Sequence, residues 1–202
     1  MTDVKGSRRE ASARETRRAV VAAATELFVE QGWAGTTVDQ VAARAGVSRP
    51  TVFAVGSKAA LLSLARDVAM AGDDKPVAVA ERDSAQQVLA EGDPHRCCRL
   101  LAAHVAGVQE RYGPLDEVLH RAAGAAPELA ELWRASEVQR RRGAELFVGH
   151  LRTRAPVREE AVDVLWLLMA PDLRTRLVRD AGWSDDAYVD WLAATVERLL
   201  LA

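Results

Sequence analysis

Residues 37–58 read TVDQVAARAGVSRPTVFAVGSK, and how this stretch is parsed decides the fold. Thr37 followed three positions later by Gln40 is a capping-box pattern, which predicts a helix opening at Thr37. Ser48 can cap a second helix, with Pro50 in its first turn, where a fixed φ and a missing N–H do no harm. Between the two, Gly46 can take the positive φ that a tight helix–helix turn needs. Ala42 offers a small residue at the crossing, while Val41, Val47, Val52 and Val55 can clamp the pair. Together these features predict a helix-turn-helix. Upstream, Val20, Ala24, Leu27 and Phe28 share one face of a helix over about 15–31, and Gly32 can end it. Downstream, Ser57 caps a fourth helix through Leu61, Leu62, Leu64, Ala65 and Val68, reaching about Asp73.

The remainder of the chain narrows the class of function. Its 202 residues are 49% hydrophobic and 28% charged, the composition of a globular protein. The longest apolar run, Val164 to Pro171, stops at Asp172, far short of a bilayer span. MTDVKGSRREASARETRR at the N-terminus has charges where a signal peptide needs an apolar segment, so a cytoplasmic location is expected. Cys97 and Cys98 are adjacent, a poor geometry for a structural disulfide. The four histidines, His95, His104, His120 and His150, do not share a helix face at metal-ligand spacing. With no nucleophile elbow, phosphate loop or dinucleotide fingerprint, the sequence predicts no enzyme, no cofactor and no metal. The net charge of −2 hides an asymmetry. Residues 1–58 hold nine cations against six anions, a balance of +3, so residues 59–202 carry −5.

Three motifs in order then carry a resemblance. Arg17–Gly32 reads RRAVVAAATELFVEQG, Thr36 onward reads TTVDQVAARAGVSRPTVF, and Gly56 onward reads GSKAALL. The whole resembles the DNA-binding domain of the TetR family of transcriptional regulators. Phe53-Ala54-Val55-Gly56 is one residue shorter than that family's usual segment and keeps only its first aromatic. A recognition helix presents its N-terminal residues to base edges in the major groove. Here those are Ser48, Arg49, Pro50 and Thr51. Arg49 is the candidate for sequence reading, since its planar fork can pair with guanine. Thr37 and Lys58, each at a helix N-terminus, are candidates for phosphate contacts. Phe53 stands where the family often has a Tyr, and without a hydroxyl it is expected to pack against the backbone or the core. Arg44, with Arg14, Arg17 and Arg18, would add phosphate or minor-groove contacts.

The resemblance implies an all-α fold of about nine helices, in which a helix-turn-helix DNA-binding domain precedes a helical ligand-binding and dimerisation domain. The expected boundaries are a flexible basic arm at 1–14, a DNA-binding domain at 15–75 with its core at 38–57, and a second domain at 76–202. After a junction at 76–83, helices are expected at about 94–111, 114–123, 127–152, 158–180 (broken at Pro171) and 184–201. A ligand pocket could be walled by Trp133, Phe147, Trp166 and Met169, with His104, Gln109 or His120 orienting its occupant. The last two helices have apolar residues to spare. Leu165, Trp166, Tyr188, Trp191, Leu192, Thr195 and Leu199 are the expected dimer contacts. The expected partners are therefore a palindromic DNA duplex, a second copy of the chain and a small-molecule effector, with no membrane. The expected activity is repression relieved by that effector. The alternative is a helical ligand-carrier or protein-interaction module that never meets DNA.

Overall fold

The computed structural model describes residues 3–72 and 79–202, with side chains from Glu10 onward. It contains ten α-helices: α1 (Asp3–Gly35), α2 (Val38–Ala45), α3 (Arg49–Val55), α4 (Lys58–Ala71) and α5 (Asp83–Ala90). They continue as α6 (Pro94–Ala122), α7 (Pro127–Arg152), α8 (Ala161–Leu168), α9 (Pro171–Arg174) and α10 (Asp185–Leu200). A 3₁₀ turn at Val79–Glu81 precedes α5, and a π-helical turn at Thr175–Asp180 follows α9. The fold is all-α. Among the described residues the extended pairing is a single antiparallel bridge between Val157 and Leu201.

The local signals act as expected. Thr37 caps α2 in a complete capping box: its hydroxyl accepts from the Gln40 N–H at 3.2 Å, and the Gln40 side chain accepts from the Thr37 N–H at 2.8 Å. Gly46 ends α2 at φ 66°, a conformation that costs a residue with a Cβ far more. Ser48 caps α3, Ser57 caps α4 and Ser184 caps α10. Gly32, at φ 71°, breaks the regular run of α1, so the long first helix effectively ends there. At its other end helical backbone starts at Asp3 and takes in residues 3–14, where an arm was expected.

The body departs from expectation at three places. The chain runs as one helix, α6, through Gly113-Pro114, where a break between 111 and 114 was expected. Tyr112, Gly113 and Leu115 are all buried while Pro114 is exposed. The backbone bond that proline forfeits therefore lies on the wet side, where water can replace it. A further helix, α5, opens within the expected junction. Its N-cap is Arg82, which makes no side-chain capping bond, and it buries only Ala85 and Val88, so no sequence signal marked it. Finally, α8 starts at Ala161 rather than 158, because Arg158 is held in an extended end-piece, its N–H donating to the Leu200 carbonyl at 2.9 Å. Residues 76–78 of the expected junction, and the 75/76 boundary, lie outside the described residues.

Two apolar cores result. One joins α1–α4 with the C-terminal half of α6 and the start of α7, through Phe28, Leu61, Leu62, Tyr112, Leu115 and Leu129. The other joins α5, the N-terminal half of α6, the end of α7, α8 and α10, around Leu101, Phe147, Leu165, Tyr188 and Leu192. Helix α6 belongs to both. Burial of large aliphatic and aromatic side chains at about 25 cal/mol per Å² makes these cores the main driving force for the arrangement.

Candidate nucleic-acid interface and ligand cavity

Helix α3 packs through a fully buried Val52 and leaves Ser48, Arg49, Pro50, Phe53 and Ala54 exposed. One short helix thus turns a single residue inward and a polar N-terminal end outward, the arrangement a groove-reading helix requires. Arg49 is mostly exposed and held only from the side. Its guanidinium lies 3.3 Å from Asp39 and 5.6 Å from the Phe53 ring centroid. Phe53, 52% exposed, stays out of the core, the second of its two expected placements, and lies under Arg49. Ser48 and Thr51 share a 2.8 Å hydroxyl contact in addition to the cap.

Three candidate residues are engaged differently from what their sequence positions suggested. The Thr37 hydroxyl donates to Gln40 Oε1 at 2.9 Å while accepting the Gln40 N–H, so its capacity is spent within the cap. Gln40 Nε2 then donates to Gln31 at 3.0 Å, tying α2 to the end of α1. Any phosphate at this end would meet backbone N–H groups of α2. Arg44 is clasped by Glu30 at 2.8 Å and Glu26 at 3.5 Å, which makes it a strap between α2 and α1 rather than a free cation. The hydrogen bond to Arg44 holds the Glu30 carboxyl below its usual range, and Glu30 in turn raises Arg44. Lys58 sits with its Nζ 4.3 Å from the centroid of the Trp33 ring, and burial lowers its pKa. Trp33 itself stacks on the core residue Phe28 at 5.8 Å. Trp33 and Asp39, which position Lys58 and Arg49, were not singled out from sequence.

The second site is a cavity of about 280 Å³ between α4, α6 and α7. Of the expected ligand residues, His104, Gln109, Phe147 and Met169 line it, whereas His120, Trp133 and Trp166 do not. His120 stacks on Trp133 at 5.4 Å, and Trp166 lies 5.6 Å from each of Arg140 and Arg141. Their aromatic character is used between helices. Gln109 lines the wall but is fully employed. Its amide donates to the Leu168 and Ala170 carbonyls at 2.9 Å each, and its oxygen accepts from Tyr188 Oη at 2.6 Å. It thereby fixes the break between α8 and α9. His104 Nδ1 meets Ser84 Oγ at 3.0 Å, and burial lowers its pKa to about 4, so the ring is neutral at pH 7.

The charged residues of the cavity were not read from sequence. Arg66, only 7% exposed, reaches from α4 to Gln139 of α7 and lies 5.8 Å over the Tyr112 ring of α6. Arg140 pairs with Glu137. Asp116 lines the same space, and burial raises its pKa. A signal existed, since Arg66 lies one turn beyond Leu62 and Asp116 one turn beyond Tyr112 on faces otherwise apolar.

The expected dimer residues divide. Leu165, Tyr188 and Leu192 are fully buried in their own chain and cannot reach a partner. Leu199, Trp191 and Thr195 lie outward or at the edge, and α8 exposes Leu167 at 67% instead. The reading from sequence ran the inner and outer stripes of these helices together. Among the described residues no group of three metal-ligating side chains occurs, and no helix is long and apolar enough to cross a membrane. Cys97 and Cys98 are buried free thiols, with burial pushing Cys98 up to about 12.

Comparison with known proteins agrees with this geometry. Residues 20–64 match the family described as bacterial regulatory proteins, tetR family. TtgW, an HTH-type transcriptional regulator of Pseudomonas putida, is 49% identical over 43 residues, which cover 21% of this chain and 32% of that protein. The chain thus matches about a third of that relative's length. A transcriptional regulator from Saccharomonospora viridis, solved in complex with choline, superposes with a TM-score of 0.69 at 16% identity, covering 94% of this chain and 99% of the other. NalD of Pseudomonas aeruginosa, the secondary repressor of the MexAB-OprM multidrug efflux pump, gives 0.65 at 21% identity, over 95% and 98%. A TetR-family regulator from Mesorhizobium loti gives 0.67 at 17%, over 92% and 95%. At these identities the structures speak for the fold.

Proposed function

We propose that this chain, whose residues 20–64 match the tetR family of bacterial regulatory proteins, is an effector-responsive repressor of that family acting in the cytoplasm. It binds a palindromic operator as a homodimer. The observation that supports this most directly is α3, which buries Val52 and offers Arg49 and its neighbours to a groove. DNA binding falls to the domain at 15–75, and effector binding and dimerisation to residues 76–202. The two copies would present their recognition helices to half-sites about 34–36 Å apart.

The dimer face we assign to α8 and α10, through Leu167, Leu199, Trp191 and Thr195, with Trp183 beside them. Exposed apolar residues clustered on two adjoining helices are the usual mark of a covered surface. The effector site we assign to the cavity, following the S. viridis regulator only in that it holds a small molecule. Helix α4 begins at Lys58 beside the DNA-reading helices and contributes Arg66 and Met70 to the cavity wall. A ligand that favours one placement of α4 would shift the recognition helices by its difference in affinity for the two states.

Fluorescence anisotropy with genomic duplexes across a salt series tests this reading. Affinity should fall steeply with salt and be strongest for a palindromic site. Absence of binding at every salt concentration would reject it in favour of a ligand-carrier module. Sequencing the genomic fragments that the protein retains would give the operator directly.

A further inference from the structure

Arg44, Arg49 and Lys58, cations of the DNA-reading head, are held in different ways. Arg44 and Arg49 are paired with carboxylates, whereas the Lys58 side chain makes no ion pair or hydrogen bond among the described residues. Lys58 is half-buried at the first position of α4, a helix with no acidic residue in its first turn and with Ser57 already accepting from the Ala60 N–H at 3.2 Å. The helix dipole opposes a cation at this end, so α4 itself gains nothing from it. What holds the ammonium is the Trp33 ring, whose centroid lies 4.3 Å from Nζ. Gly32 places that ring. Residues five positions apart on a regular helix point in different directions. Trp33 nevertheless stacks on Phe28, with ring planes 13° apart, because the chain turns at Gly32 with φ 71°. Phe28 is fully buried, so the indole is fixed to the core of the head and Lys58 to the indole.

A lysine side chain left in water spreads over many rotamers, and ordering it opposes any contact it makes. Over an aromatic face the ammonium keeps its charge but loses much of that freedom before a partner arrives. We propose that Trp33 is a positioning residue for DNA binding: its ring presents the Lys58 ammonium at the start of α4 to an operator phosphate, and stays beneath it in the complex. The same phosphate would meet the N–H groups that open α4. An alkyl side chain at position 33 would still pack on Phe28 but would give the ammonium no seat.

This deepens the regulator reading and rests on it. Anisotropy against a duplex recovered from retained genomic fragments, across a salt series, would compare the wild type with Trp33→Leu, Trp33→Phe, Lys58→Met and the double variant Trp33→Leu/Lys58→Met. Lys58→Met should weaken binding about three- to tenfold and reduce the salt slope by about one. Trp33→Leu should cost a similar factor and Trp33→Phe less, while Trp33→Leu should cost nothing further once Lys58 is replaced. Equal losses from Trp33→Leu with and without Lys58 would make the ring a packing residue and overturn the proposal. An unchanged affinity and slope in Lys58→Met would do the same. A second measurement uses the wild type alone, with its lysines labelled with carbon-13 at Cε. The Lys58 methylene should resonate upfield of those of Lys5 and Lys75, the chain's other lysines, through the Trp33 ring current, and should stay there on DNA. Absence of that shift in the free protein, or its loss on DNA, overturns the proposal whatever the fate of the variants. A wild type that binds no duplex at any salt concentration removes the regulator reading and this proposal together. Specific binding with additive variants removes this proposal alone.

Discussion

At the scale of single residues, the interface is organised by neighbours that hold the reading groups in waiting. Arg49 must leave Asp39 to reach a base edge, and an exposed pair of this kind costs little to break. Arg49→Ala should therefore weaken operator binding by roughly 1–3 kcal/mol and relax preference at one base pair. A selection experiment with randomised half-sites checks this; an unchanged preference removes Arg49 from the reading set. Asp39→Asn should do the reverse to affinity, raising it and steepening its fall with salt, because one carboxylate no longer competes with the DNA. Gly56 shows why the shortened segment after α3 works. A Cβ there would stand 2.8 Å from the Ala60 Cβ, so only glycine lets α4 start this close to the end of α3. Gly56→Ala should lower stability by about 1–3 kcal/mol through this overlap, measurable in urea.

Asp116 has a consequence for the stability of the protein. Its pKa is raised in the folded state, first by burial and further by Asp172, with Tyr112, Arg140 and His120 opposing. A carboxyl whose folded pKa is raised favours folding while protonated, and that advantage is lost as pH rises through the folded value. Asp116→Asn should thus melt higher than the wild type at pH 7, with the difference vanishing as pH drops below the ordinary carboxylate range. Equal melting curves at pH 7 would show that the carboxyl carries no penalty.

At the scale of elements, what was legible in the sequence was what is decided locally. A cap involves a side chain and a backbone group three residues away, so Thr37, Ser48, Ser57 and Ser184 announce their helices directly. The left-handed stops at Gly32 and Gly46 are legible for the same reason. What tertiary packing decides was hidden. Gly113-Pro114 reads as a turn, yet α6 continues through it because apolar neighbours on both sides are buried and the proline is not. Arg44 and Lys58 read as candidates for phosphate contacts, and only the folded chain shows Glu30 and Trp33 beside them. The outward stripe of α8 and α10 depends on which face the rest of the molecule claims first. Gln109 was legible as a polar residue in an apolar wall but not as a tie. Gln109→Leu would leave Tyr188 Oη and two carbonyls without partners and should cost about 2–4 kcal/mol in unfolding free energy. A loss below about 1 kcal/mol would mean the α8–α9 break holds without it.

At the scale of the whole molecule, charge and symmetry act together. The excess of +3 in residues 1–58 is modest, and two of those cations are already matched by Glu26, Glu30 and Asp39. Affinity for DNA should therefore depend strongly on presenting two heads together, with the acidic body limiting non-specific adsorption. Leu167→Glu combined with Leu199→Glu should yield a monomer in analytical ultracentrifugation and abolish operator binding at moderate salt. A dimer that persists in this variant would place the interface elsewhere.

Helix α6 runs through both apolar cores, lending Tyr112, Leu115 and Leu119 to the DNA-reading head and Leu101 and Val105 to the body. The head is for that reason not a detachable module. Cut after residue 72, it would lose a wall of its own interior and expose Phe28, Leu61 and Leu62 to water. Grafting it onto another sensor would require carrying the second half of α6 along with it. The border that matters to an engineer thus runs across a helix, not along the linker.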